Sequence, residues 1–84
     1  GTFIFNGVVI NPDAVIGKNC IINSKSLIEH DTTVGDNCHI STGAKLNGCV
    51  NVGNNSFIGS GSVIKNNIHI KKNSFIPMGS IIIK

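Results

Sequence analysis

The sequence predicts an all-β chain of very short strands, separated by tight turns and wound into stacked coils. Three observations predict it. Counting from Ile4, every sixth residue as far as Ile82 is Ile, Val or Leu, with no inserted residue. Four residues after each of these marks comes a mostly small side chain: Val8, Ala14, Cys20, Ser26, Thr32, Cys38, Ala44 and onward to Ser80. One branched and one small inward residue per six leave no face recurring at three and four, which excludes an amphipathic helix and suits strands of period two. Finally, Ile16-Gly-Lys-Asn-Cys20, Val34-Gly-Asp-Asn-Cys38, Val52-Gly-Asn-Asn-Ser56 and Ile70-Lys-Lys-Asn-Ser74 are in register at 18 residues, so three hexads close one coil.

Taken in order, each hexad supplies one strand that ends on its mark and one corner that turns the chain. A corner needs a residue tolerant of positive φ, which Gly, Asn and Asp supply cheaply. The first corner offers Asn19, Asn37, Asn55 and Asn73. The second offers Gly7, Lys25, Gly43, Gly61 and Gly79, and the third Asp13, Asp31, Cys49 and Asn67. Lys25 and Cys49 are the departures, each carrying strain of about 1 kcal/mol. The Asn side chains stacked at the first corner are expected to hydrogen-bond along it.

This pattern resembles the left-handed parallel β-helix of the hexapeptide-repeat proteins, a triangular prism whose coils stack at about 4.8 Å. Fourteen marks at three per coil give about four and two-thirds coils in a single domain over residues 1–84. The outward residues then sort into three faces. One reads Phe3, Ile21, His39, Phe57, Phe75; the next Val9, Leu27, Lys45, Val63, Ile81; the third Val15, Thr33, Asn51, His69. The first two are largely apolar on the outside and flank the second corner, so a cyclic homotrimer packed around that edge is expected.

Composition narrows the function. The net charge of +3 is modest, only Lys71 and Lys72 are adjacent, and the aromatics are four Phe. That excludes the dense basic stripe and stacking rings of a nucleic-acid surface. Mean hydropathy is +0.23, yet polar residues interrupt every few positions, far short of the run of about 20 apolar residues that crosses a bilayer. Cys20, Cys38 and Cys49 form neither a C-x-x-C pair nor an even set, and are expected as free thiols in a reducing cytoplasm.

The apolar stripes are each broken once, at His39 and Lys45, in one coil, and His30 and Asp31 project from the third corner at or just below that coil. Polar groups interrupting an apolar interface at one level mark a candidate cleft. His30 occupies a turn position where the repeat demands little, leaving its imidazole free to act as a general base. A carboxylate at Asp31 bonded to one ring nitrogen would fix the tautomer and raise the basicity of the other.

The elements Ile28-Glu-His-Asp31, Val34-Gly-Asp-Asn-Cys-His-Ile-Ser41 and Phe57-Ile-Gly-Ser-Gly61 resemble the sialic-acid O-acetyltransferase and UDP-4-amino-sugar N-acetyltransferase family of bacterial surface-glycan pathways. The resemblance implies a trimeric enzyme with acetyl-CoA held between neighbouring prisms. It implies direct transfer to an amino or hydroxyl group of a sugar or nucleotide sugar, with His30 as base, Asp31 as its carboxylate partner and His39 near the thioester. By the same resemblance Gly59, Ser60, Gly61 and Met78 would line the pantetheine arm, and Lys71 and Lys72 would meet the CoA phosphates. The family's N-terminal α/β domain, which binds the sugar nucleotide, has no counterpart in this sequence.

Two rivals stand beside this reading. A zinc enzyme on the same fold needs three converging histidines, whereas His30 and His39 are nine apart and His69 lies on the polar face two coils on, so no metal is expected. A non-catalytic β-helix serving as a trimerisation module accounts for the repeat, but gives no reason for both apolar stripes to be interrupted at one level.

Overall fold

A computed structural model describes residues 1–84, and it is an all-β left-handed parallel β-helix. Fourteen strands of two residues each form three parallel sheets, the three faces of a prism. The first sheet stacks β1 (Phe3–Ile4), β4 (Ile21–Ile22), β7 (His39–Ile40), β10 (Phe57–Ile58) and β13 (Phe75–Ile76). The second stacks β2 (Val9–Ile10), β5 (Leu27–Ile28), β8 (Lys45–Leu46), β11 (Val63–Ile64) and β14 (Ile81–Ile82). The third stacks β3 (Val15–Ile16), β6 (Thr33–Val34), β9 (Asn51–Val52) and β12 (His69–Ile70). Each strand pairs with the one 18 residues away, as in Ile21 beside His39 and His39 beside Phe57.

In every strand the second residue is the hexad mark and turns inward, while the first turns outward. Ile22, Ile28, Ile40, Leu46, Ile58 and Ile64 are wholly enclosed, with Cys20, Ala44, Thr32 and Ser62 filling the space between them. A small residue beside each branched one is required because three sheets converge on a narrow axis. At the ends the core opens: Ile4 is 53% exposed and Ile10 39%. The middle coils are therefore the best-sealed part of the prism, and the candidate site sits on them.

All thirteen expected corner residues have positive φ, from 57° at Asn19 to 74° at Gly7, with Lys25 at 60° and Cys49 at 60°. The expected hydrogen-bonded Asn stack at the first corner is corrected by one residue. Asn37 and Asn55 donate their backbone N–H to the carbonyls of Lys18 and Asp36 in the preceding coil. The N–H groups one residue earlier donate instead to side chains one coil on: Lys18 N–H to Asp36 Oδ1 at 3.0 Å, and Asp36 N–H to Asn54 Oδ1 at 2.8 Å. The ladder therefore runs through Asp36 and Asn54.

A second ladder lies inside. The hydroxyls of Ser26, Thr32, Ser56 and Ser62 donate to the carbonyls of Ser41, Asn47, Lys71 and Pro77, each 15 residues ahead. The thiols of Cys20 and Cys38 repeat the geometry toward Gly35 and Gly53. Small polar residues thus fill the core without leaving unpaired groups.

Candidate active site

The third corner joins the second sheet to the third, and its backbone turn throws consecutive side chains to the outside. His30 leaves β5 after Glu29, and Asp31 takes the left-handed position at φ 59°. His30 Nδ1 lies 3.1 Å from Asp31 Oδ2, with both side chains more than half exposed. Glu29 is held from below by Asn11, whose Nδ2 donates to Oε1 at 2.7 Å. One coil on, Gly48 and Cys49 occupy the positions over His30 and Asp31, and Cys49 N–H donates to the His30 carbonyl at 3.0 Å.

Glu29, His30, Gly48 and Cys49, with Asn47, Asn66 and Asn67, line an open recess of about 520 Å³. Its walls are amides, a carboxylate, an imidazole and a thiol, which suits a polar ligand rich in hydroxyl and amino groups. Gly48 was not singled out by the repeat, yet it decides where the imidazole sits. A Cβ there would lie 2.7 Å from His30 Nε2 and 2.8 Å from Cε1. Its φ lies outside the left-handed region, so the ring, not the backbone, is what demands glycine. The signal available in the sequence was the 18-residue spacing from His30.

His39 is elsewhere. It is outward on β7 in the first sheet, with its ring edge-on to Phe57 at 5.2 Å and 80°. Its Nε2 is buried with no hydrogen-bond partner, which leaves Nδ1 as the nitrogen toward solvent. Within one chain the structure brings His30 and Asp31 together but leaves His39 on a different face. Gly59, Ser60, Gly61 and Met78 gather at the second corner, where Gly59 packs on the Met78 backbone and Met78 is 77% exposed. Lys71 and Lys72 are exposed at the first corner. The residues assigned to acetyl-CoA by resemblance therefore lie on two edges and a face of one prism.

The thiols divide by position. Burial pushes the Cys38 thiol up from its ordinary pKa, outweighing hydrogen bonds from the Ser56 and Asn55 backbone that act downward. Cys38 and Cys20 are core residues, whereas Cys49 is exposed. The histidine spacing disclosed no metal set, but the corner brings ligating atoms of His30, Asp31 and Cys49 within 4.8 Å of one another.

Comparison with known proteins supplies the family. The model for the hexapeptide repeat of succinyl-transferase matches residues 7–47 and 49–84, and that for the bacterial transferase hexapeptide, in six repeats, matches residues 31–66. The chain belongs to the hexapeptide-repeat transferase family. No curated protein sequence matches it. Among solved structures, this hexapeptide-repeat chain is similar to the acetyltransferase domain of PglB from Neisseria gonorrhoeae, at 21% identity and a TM-score of 0.78, over 99% of this chain and 49% of that one. It is also similar to a histidine variant of perosamine N-acetyltransferase from Caulobacter crescentus, in complex with CoA and GDP-perosamine, at 19% identity and a TM-score of 0.59, over 99% and 48%. The chain thus spans about half the length of these structures, and the likeness supports the fold. No helix is long and apolar enough to cross a membrane.

Proposed function

We propose that this chain is the catalytic β-helix of an acetyl-CoA-dependent acetyltransferase, acting on an amino or hydroxyl group of a sugar or nucleotide sugar in bacterial surface-glycan synthesis in the cytoplasm. The observation that carries the reading is the 3.1 Å contact between His30 Nδ1 and Asp31 Oδ2 at the mouth of a polar recess, on a chain of the hexapeptide-repeat transferases. The two similar solved structures bear on it, since one is named as an acetyltransferase domain and the other holds CoA and GDP-perosamine.

The carboxylate accepts a hydrogen bond from Nδ1–H, which fixes the tautomer and leaves Nε2 unprotonated. Nε2 then takes the proton from the acceptor nitrogen or oxygen as that atom attacks the thioester carbonyl, and the acetyl group passes directly to the acceptor. The exposed Cys49 is not required as a nucleophile.

Assembly completes the site in this reading. If the first sheet of one copy packs on the second sheet of the next around the second corner, the third corner, at the outer margin of the second sheet, lies beside the neighbour's first sheet. His39 of the neighbour then faces the His30 side of the cleft, offset by half a coil, about 2.4 Å along the prism axis by the strand spacing. Gly59, Ser60, Gly61 and Met78, with Lys71 and Lys72, are proposed to contact acetyl-CoA from the two edges of that sheet.

The test is calorimetric titration with acetyl-CoA, with mass determined by light scattering. Saturable binding near one per chain in a trimer, weakened in His39→Ala, is the expected result. His30→Ala should retain binding and assembly while transfer to an amino-sugar acceptor falls at least about 10²-fold. A stable trimer that binds no acetyl-CoA would instead identify a non-catalytic trimerisation module.

A further inference from the structure

Cys49 has no structural reason to be cysteine. It stands at a corner with φ 60°, where the equivalent residues one and two coils before are Asp31 and Asp13 and the one after is Asn67. Those types accept left-handed backbone cheaply, and cysteine does not. Its side chain is exposed, so core packing does not account for it either. What the thiol does have is company: its sulfur, a ring nitrogen of His30 and a carboxylate oxygen of Asp31 lie within 4.8 Å of one another.

We infer that His30, Asp31 and Cys49 form a binding site for a borderline-soft divalent cation of the zinc type. The donor set of one nitrogen, one oxygen and one sulfur is the mixture such ions select, and it discriminates against the all-oxygen preferences of calcium and magnesium. Tetrahedral zinc with bonds of about 2.0–2.3 Å places its ligand atoms about 3.5 Å apart. The His30 and Asp31 atoms are at 3.1 Å already, and side-chain rotation of exposed groups closes the remainder. Solvent access leaves the fourth position to water. Binding displaces the proton shared by His30 and Asp31 and the thiol proton of Cys49. The ion thereby engages the imidazole proposed as base and the carboxylate that orients it, so its consequence, reversible inhibition, rests on the acetyltransferase reading; the site itself does not.

The experiment measures the metal directly, with thiols kept reduced. Zn²⁺ is titrated calorimetrically into the whole chain, and Co²⁺ is used as the spectroscopic probe. One ion per chain, with a thiolate-to-cobalt charge-transfer band, is the expected result; Cys20 and Cys38 are enclosed, so the band reports Cys49. Cys49→Asn, which installs the residue the same corner uses at Asn67, should fold at least as well, lose the band and bind Zn²⁺ at least about tenfold more weakly. Cys49→Asp should lose the band while keeping part of the affinity. Absence of stoichiometric Zn²⁺ uptake by the wild type, or unchanged affinity in Cys49→Asn, overturns the site. No turnover is measured, so a chain without transferase activity still gives a decisive answer.

Discussion

His30 is positioned by what is missing above it. The imidazole lies in the space that a Cβ at Gly48 would fill, while Asp31 fixes its other edge. Gly48→Ala is tolerated by the backbone, so its effect falls on the ring, which must swing outward and lose its alignment with Asp31. We expect kcat to fall about tenfold or more with acetyl-CoA binding and thermal stability little changed, since a misplacement of about 1 Å is costly to chemistry and not to folding. Steady-state kinetics beside a melting curve separates the two. An equal loss of stability and activity would show that Gly48 serves the coil and not the placement of the imidazole. The Cys38 thiol makes the opposite kind of prediction, one about folding. Its pKa is raised by burial, so the folded state favours the neutral thiol. The stability this contributes is complete below the ordinary thiol pKa and is lost as pH rises through the higher folded value. Melting curves recorded from neutral to strongly alkaline pH should therefore fall less steeply in Cys38→Ala than in the wild type, although Cys38→Ala is the less stable at neutrality.

At the scale of the coil, the inward hydroxyls connect the core to the site. Thr32 follows Asp31, is fully enclosed, and donates through Oγ1 to the Asn47 carbonyl at 2.8 Å; Asn47 in turn lines the recess. Thr32→Val keeps the shape and strands that carbonyl, which should cost about 1–3 kcal/mol, read as a lowered denaturation midpoint with unchanged assembly. Val at the equivalent inward position Val50 shows that the side chain itself fits. Much of this level was legible in the sequence. The marks and the positive-φ corners followed from spacing and residue type, because a coil of fixed length leaves no freedom in which residue turns inward or bends left. The Asp36–Asn54 ladder and the Gly48 seat were not legible, because periodicity specifies backbone register and not which way an exposed side chain leans. The expected hydrogen bonding among the stacked Asn side chains of the first corner failed for that reason: the backbone donors that need a side-chain acceptor sit one residue earlier, at Lys18 and Asp36, and Asp36 and Asn54 supply it.

The whole prism has more apolar outside than a lone copy explains. On the first face Phe57 and Phe75 are stacked at 5.0 Å and 9°, with His39 edge-on beside them, and Phe75 and Phe3 are 69% and 67% exposed. Val9 and Ile81 extend the second face in the same way. A parallel β-helix of this kind satisfies its backbone internally and does not need partners for its sheets, so outward aromatic ladders are surplus to folding and available to association. Phe57→Lys puts a charge in the middle of the ladder while Ile58 keeps the core intact. The expected outcome is a folded chain at its own mass of 8.8 kDa, where the wild type scatters as three times that mass. Acetyl-CoA binding should disappear with the trimer, because His30 and His39 lie on different faces of one copy and, in the proposed assembly, come together across the contact. A wild-type chain that is monomeric yet transfers acetyl groups at full rate would break that link, and would require His30 and Asp31 to work on one prism alone.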